Sequence, residues 1–190
     1  MQLLATPEFQ VWAAGHGIGW DPRYPSANQL SFVEAPDHWR VWDSPPQSKQ
    51  LAWFTEAVLR VAAPEDQSVL VLPRARGQWR FGGVGSPKPN QAFDLIIRGL
   101  GVPAEFVGAV RFDASESAHL LAVAVASLVL GWSTGEDLYI LPASGRCILL
   151  TSHDCAIFGF FPCEAGRESF ASDLREQGYQ DPDLVPFEPG

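Results

Sequence analysis

The stretch 137–161, DLYILPASGRCILLTSHDCAIFGFF, constrains the fold more than any other part of the chain. Three apolar runs lie in it, at 138–141, 147–151 and 155–161, each of strand length and rich in Ile, Leu, Phe and Tyr. Between the first two stand Pro142, Ala143, Ser144, Gly145 and Arg146, with Gly145 available for a positive φ. Between the second and third stand only Ser152, His153 and Asp154, which leaves room for a tight turn. Short connections favour antiparallel neighbours, so the stretch predicts a three-strand meander. In the third run Ala156, Phe158 and Phe160 face one way, and Cys155, Ile157, Gly159 and Phe161 face the other. Neither set is polar, so this strand is expected to be covered on both faces.

The rest of the chain supplies the cover. Apolar residues make up 46% of the 190 and charged residues 18%, the balance of a globular domain with a sizeable core. Leu51, Phe54, Val58 and Val61 form one stripe of a helix over 48–62, stopped by Pro64. Asn90 is read as the cap of a helix over 90–99, with Phe93, Ile96 and Ile97 inward. Asp113 and Glu116 have the form of a capping box for a helix over 115–130, which Gly131 ends. That helix is apolar on nearly every side, so it is expected to be buried. A fourth helix over 167–177 turns Phe170 and Leu174 inward and stops at Gly178. Further strands are expected at 69–72, 79–81 and 107–112. Shorter ones are read at 10–13, 30–33 and 39–42. The fold class is therefore α+β, a single domain with a central, mainly antiparallel sheet packed with about four helices. Residues 1–47 read as a Trp-rich, turn-rich outer layer, 48–178 as the core and 179–190 as an acidic, Pro-rich tail.

Charge narrows the range of functions. Twenty-two Asp and Glu against thirteen Lys and Arg leave a net charge of -9. Such a surface repels phosphate backbones and favours a basic partner, so nucleic acid is not an expected ligand. The longest apolar run, 118–130, falls short of the roughly 20 residues that cross a bilayer. The N-terminus has no basic segment followed by an apolar core, so no signal peptide is read and a cytoplasmic location is expected. Cys147, Cys155 and Cys163 lie in or beside the predicted sheet and read as small buried apolar residues. The glycines of GHGIGWDP, 15–22, precede Asp21-Pro22 rather than a helix. The loop GGVGSPKPN, 82–90, lacks the Gly-Lys-Ser/Thr of a phosphate loop. No cofactor is expected.

Candidate chemistry centres on Ser152-His153-Asp154-Cys155, which holds nucleophile, base and carboxylate types side by side. Catalytic groups converge from distant positions, whereas adjacent residues on a strand or turn point apart. The stretch therefore reads first as a turn, with His153 and Asp154 as contact residues. Catalysis by His153 and Asp154, in a small hydrolase or nucleotide-processing enzyme, is the alternative. His16, His38, His119 and His153 show no HxH or HExxH spacing, so no metal site is read. Trp20, Trp39 and Trp42 are candidate binding residues, because Trp offers large rigid area with a polar handle.

The run 131–161 resembles a pattern in small uncharacterised bacterial proteins. In that pattern Gly-Trp-Ser ends a helix, an Asp-Leu-Tyr-Ile strand follows, and a Ser-His-Asp or Ser-His-His turn precedes another strand. Here Asp154 stands where the second His often falls. The layout is similar to that of the immunity proteins of bacterial polymorphic toxin systems, which are small, acidic, cytosolic and α+β. The resemblance implies a non-catalytic protein that binds and neutralises a toxin, its partner being a basic protein.

Overall fold

The structure is a computed structural model. It describes residues 1–21, 28–34, 38–45, 48–64, 67–75, 77–82, 87–134 and 137–179, with the backbone alone at 48–49 and 131–134. In chain order the elements are β1 (Gln2–Ala5), α1 (Thr6–Gly15), β2 (Ile18–Trp20), β3 (Leu30–Phe32), β4 (His38–Asp43), α2 (Ser48–Ala62) and β5 (Val69–Pro73). There follow α3 (Lys88–Gly99), β6 (Gly108–Phe112), a 3₁₀ turn (Ala114–Glu116), α4 (Ser117–Thr134), β7 (Leu138–Pro142), β8 (Ile148–Ser152), β9 (Ala156–Phe161) and α5 (Glu164–Glu176). Seven strands form one sheet in the order β1-β6-β5-β7-β8-β9-β4, every neighbouring pair antiparallel. β2 and β3 make a separate antiparallel pair. This is an α+β domain with the expected meander at its centre, Ile140 opposite Leu149 and Leu149 opposite Gly159.

The sheet is sandwiched. On one face α2, α3, α4 and α5 cover Val69, Val71, Val110, Leu138, Ile140, Leu149 and Ile157. On the other, α1 and the β2–β3 pair cover Leu70, Leu72, Ala109, Tyr139, Leu141, Ile148 and Leu150. Because both faces are dry, strands β5 and β7 are apolar throughout rather than alternating, and β8 is buried throughout although it ends in Thr151 and Ser152. Gly159 has no side chain for a specific reason: a Cβ there would lie 2.7 Å from the indole of Trp42 on the neighbouring strand.

Several expectations are corrected. Residues 10–13 are helical, not a strand. Pro7 sits in the first turn of α1, the Ala5 N–H donates to the Glu8 carboxylate at 2.8 Å, and Phe9 and Ala13 bury on one helical face. The segment read as an outer layer supplies both edge strands of the main sheet, β1 and β4. Residues 79–81 form no strand. Trp79 is instead buried and donates its indole N–H to the Gly108 carbonyl at 2.8 Å. Helix α3 starts at Lys88, so Asn90 lies inside it and donates its amide to the Phe81 carbonyl rather than capping. Helix α4 runs on to Thr134, past Gly131. One side of α4 meets solvent, with Val129 55% exposed, because its packing against α2, α3 and β8 uses only the other sides. Of the cysteines only Cys147 is buried, and burial pushes its thiol up to about 12. Cys155 and Cys163 are exposed, in the turns that flank β9. The tail beyond Tyr179 lies outside the described residues. No helix among the described residues is long and apolar enough to cross a membrane.

Candidate functional site

Antiparallel register decides what surrounds His153. Pro73 pairs with Leu138, and Leu138 pairs with Thr151. The residue after β5, the residue before β7 and the turn after β8 therefore meet at one end of the sheet. Those residues are Arg74, Asp137 and His153. Asp137 is buried and takes three hydrogen bonds on its carboxylate. Oδ2 accepts from Arg74 Nη1 at 2.6 Å. Oδ1 lies 2.7 Å from His153 Nδ1 and accepts the His153 backbone N–H at 2.8 Å. The Asp137 carbonyl accepts the Arg74 backbone N–H at 2.8 Å.

The turn itself is held locally. Cys155 takes a left-handed φ of 59° and its N–H closes onto the Ser152 carbonyl at 3.0 Å. Ser152 Oγ accepts the Asp154 N–H at 3.2 Å and lies 3.3 Å from Asp154 Oδ2. His153 Nε2 points toward Asp154 Oδ1 at 3.8 Å. The side chains of His153 and Asp154 are 40% and 64% exposed.

An Asp–His pair of this kind orients the base in a hydrolase. Here the hydroxyl beside it, Ser152 Oγ, is engaged with Asp154, and the free edge of the imidazole faces a carboxylate rather than a nucleophile. The turn is exposed at His153 and Asp154, and a groove among the described residues lies elsewhere, between α2 and α4. His153 and Asp154 stand together as the sequence implies, but the chemistry of the group is that of a latch tying β5, β7 and the β8–β9 turn.

The latch has a signed pH dependence. The hydrogen bond to Asp137 raises the His153 pKa above its ordinary value of 6.5, burial opposes the shift, and the charges of Asp137 and Asp154 add to it while Arg74 opposes it. A raised native value means that the imidazolium–carboxylate contribution is complete below the unfolded pKa of about 6.5 and is lost as pH rises through the native one. Urea midpoints of the unmodified protein and His153→Gln should therefore differ more below pH about 6.5 than above the native value. An equal difference throughout would contradict the pairing.

The three candidate tryptophans separate. Trp42 is 2% exposed and belongs to the core, its ring 5.4 Å from Phe170 and 6.5 Å from Phe161. Its candidacy as a binding residue is thereby corrected. Trp20 is half-buried, edge-on to Tyr139 at 6.5 Å. Trp39 is 37% exposed. It shares a face of β4 with Val41 and Asp43, opposite Phe160, Phe158 and Ala156 of β9. Val41 and Phe158 are half-buried, at the margin where α1 and the β2–β3 pair no longer cover the sheet. This strip leads to the latch turn, since the Ser44 N–H donates to the Cys155 carbonyl at 2.9 Å. Exposed Asp43 and Asp154 thus lie at its end.

Asp137 and Arg74 escaped the sequence reading, although the meander register alone sets Asp137 opposite the end of β8. Among the described residues no three His, Cys, Asp or Glu side chains converge in a way that could hold a metal ion. Comparison of the chain with protein-family models, curated proteins and solved structures finds no match.

Proposed function

We propose that the protein is a non-catalytic binding protein, of the immunity type, that occupies and neutralises a basic protein toxin in the cytoplasm. The observation that carries this reading is the strip of Trp39, Val41 and Phe158 ending in Asp43 and Asp154. An exposed Trp beside half-buried apolar neighbours has the composition of an interface anchor. The carboxylates at its end, within a net charge of -9, suit a partner of opposite sign and speed its encounter. The resemblance of the overall layout to immunity proteins, beside that of 131–161 to small uncharacterised bacterial proteins, points the same way. The engagement of Ser152 by Asp154 and the exposure of the turn weigh against the hydrolase alternative.

The test is co-expression with the basic product of the adjacent gene. Growth rescue is expected, with co-purification at low salt that weakens at high salt. Trp39→Ala should weaken the complex roughly 30-fold while the protein stays folded. Neither rescue nor a complex at low salt would remove the immunity reading.

A further inference from the structure

The outer side of the helical layer is apolar where it meets solvent. Helix α4 holds no Asp, Glu, Lys or Arg between Ser117 and Thr134. Its exposed Ala118, Ala122 and Val129 and half-buried Val125 fall in one line along the helix, at the alternating spacing with which one helix packs on another. Beside it α2 turns Trp53 outward, 57% exposed, in line with exposed Glu56 and Arg60. A tryptophan this open, next to an uncharged helix surface, has the character of an interface anchor.

Charge selects what covers this face. A chain of net charge -9 repels its own copies. Across α2 and α4 that repulsion falls away, because α4 is uncharged and α2, with Lys49, Glu56 and Arg60, has no negative excess. Glu56 and Arg60 already pair at 2.6 Å within one chain.

Shape selects the same occupant. A groove of about 660 Å³ separates the end of α2 from the start of α4, with Arg60 and Ala63 on one wall and Ala118 and Leu121 on the other. The two helices therefore run antiparallel. Trp53, two turns before Arg60, stands about 10 Å from the groove, beside the other end of α4. A two-fold axis that crosses α4 between Ala122 and Val125 lays the helix antiparallel on its own copy. Ala118 then meets the second copy's Val129 and Ala122 meets its Val125, small against large. On α2 the same axis falls between Glu56 and Arg60, so Glu56 of each copy meets Arg60 of the other. The second copy's Trp53 comes over the groove. Such reciprocity is what an isologous interface requires.

We propose that the face formed by α2 and α4 pairs with a second copy of this chain about a two-fold axis, Trp53 of each copy seating in the α2–α4 groove of the other. The pairing goes beyond the toxin-binding reading and is independent of it. The strip of Trp39, Val41 and Phe158 lies on the opposite face of the sheet and stays open in both copies.

Sedimentation equilibrium of the full chain, from low to high micromolar concentration, should show a monomer–dimer equilibrium. Val129→Glu should weaken it about 100-fold or more, by setting two carboxylates in an apolar contact. Trp53→Ala should weaken it roughly 30-fold. Both positions are exposed, so the circular dichroism spectrum should be that of the parent. Glu56→Arg and Arg60→Glu should each associate poorly alone, and an equimolar mixture of the two should recover the dimer, since opposite charges then meet at both contacts. A monomer at every concentration, which would leave the face to a different partner, would overturn the proposal. So would a dimer that Val129→Glu and Trp53→Ala leave intact, or a mixture of the two charge variants that associates no better than either alone.

Discussion

Asp137→Ala is expected to lower stability by about 3 kcal/mol, the cost of removing one partner from a buried ion pair. The change takes the acceptor from Arg74, from the His153 ring and from the His153 backbone N–H together. Arg74 and His153 are partly exposed, so water replaces some of what is lost, which holds the estimate at the lower end of the range. For a chain of 190 residues this corresponds to a fall in Tm of roughly 6–12 °C. Hydrogen exchange should quicken first where β5, β7 and the β8–β9 turn meet. A Tm within about 2 °C of the parent would mean that the three groups are not coupled as described.

Trp42→Ala is expected to cost about 3–5 kcal/mol, as large aromatic truncations in a core do. The indole packs against Phe161 and Phe170 and fills the space that Gly159 leaves open. The variant should unfold at a lower urea concentration, and its loss of partner binding should track its loss of fold. Trp39→Ala should show the reverse, a folded protein that binds poorly. If Trp42→Ala kept its stability and lost only binding, the core assignment of Trp42 would be wrong.

The contrast between these tryptophans shows what was legible in the sequence. Residues 39 and 42 are three apart on a strand, so they point to opposite faces. Which face is the core depends on α5 lying over β4 and β9, and no local pattern reports that. The meander was legible because its runs are apolar at nearly every position and its connections are short. The helix over 6–15 was not, because its apolar residues form no single stripe, Val11 being exposed while Phe9 and Ala13 are buried, and the strand-like run 10–13 is indistinguishable from one helical turn. Its start is set by Pro7 and by Glu8 reaching back to Ala5. Likewise His153 and Asp154 announced themselves as chemical types, whereas Asp137 and Arg74 acquire their role only through strand register. Cys155 and Cys163 were misread because cysteine composition speaks for burial, while the turns around β9 place both at the surface.

The most direct test of the account is amide hydrogen exchange of the protein alone and with the basic product of the adjacent gene, at low salt. The expected result is slowed exchange confined to 38–43, 153–158 and their immediate neighbours, and absent in Trp39→Ala. A complex that leaves those amides unchanged, or that Trp39→Ala binds as tightly as the parent, would contradict it.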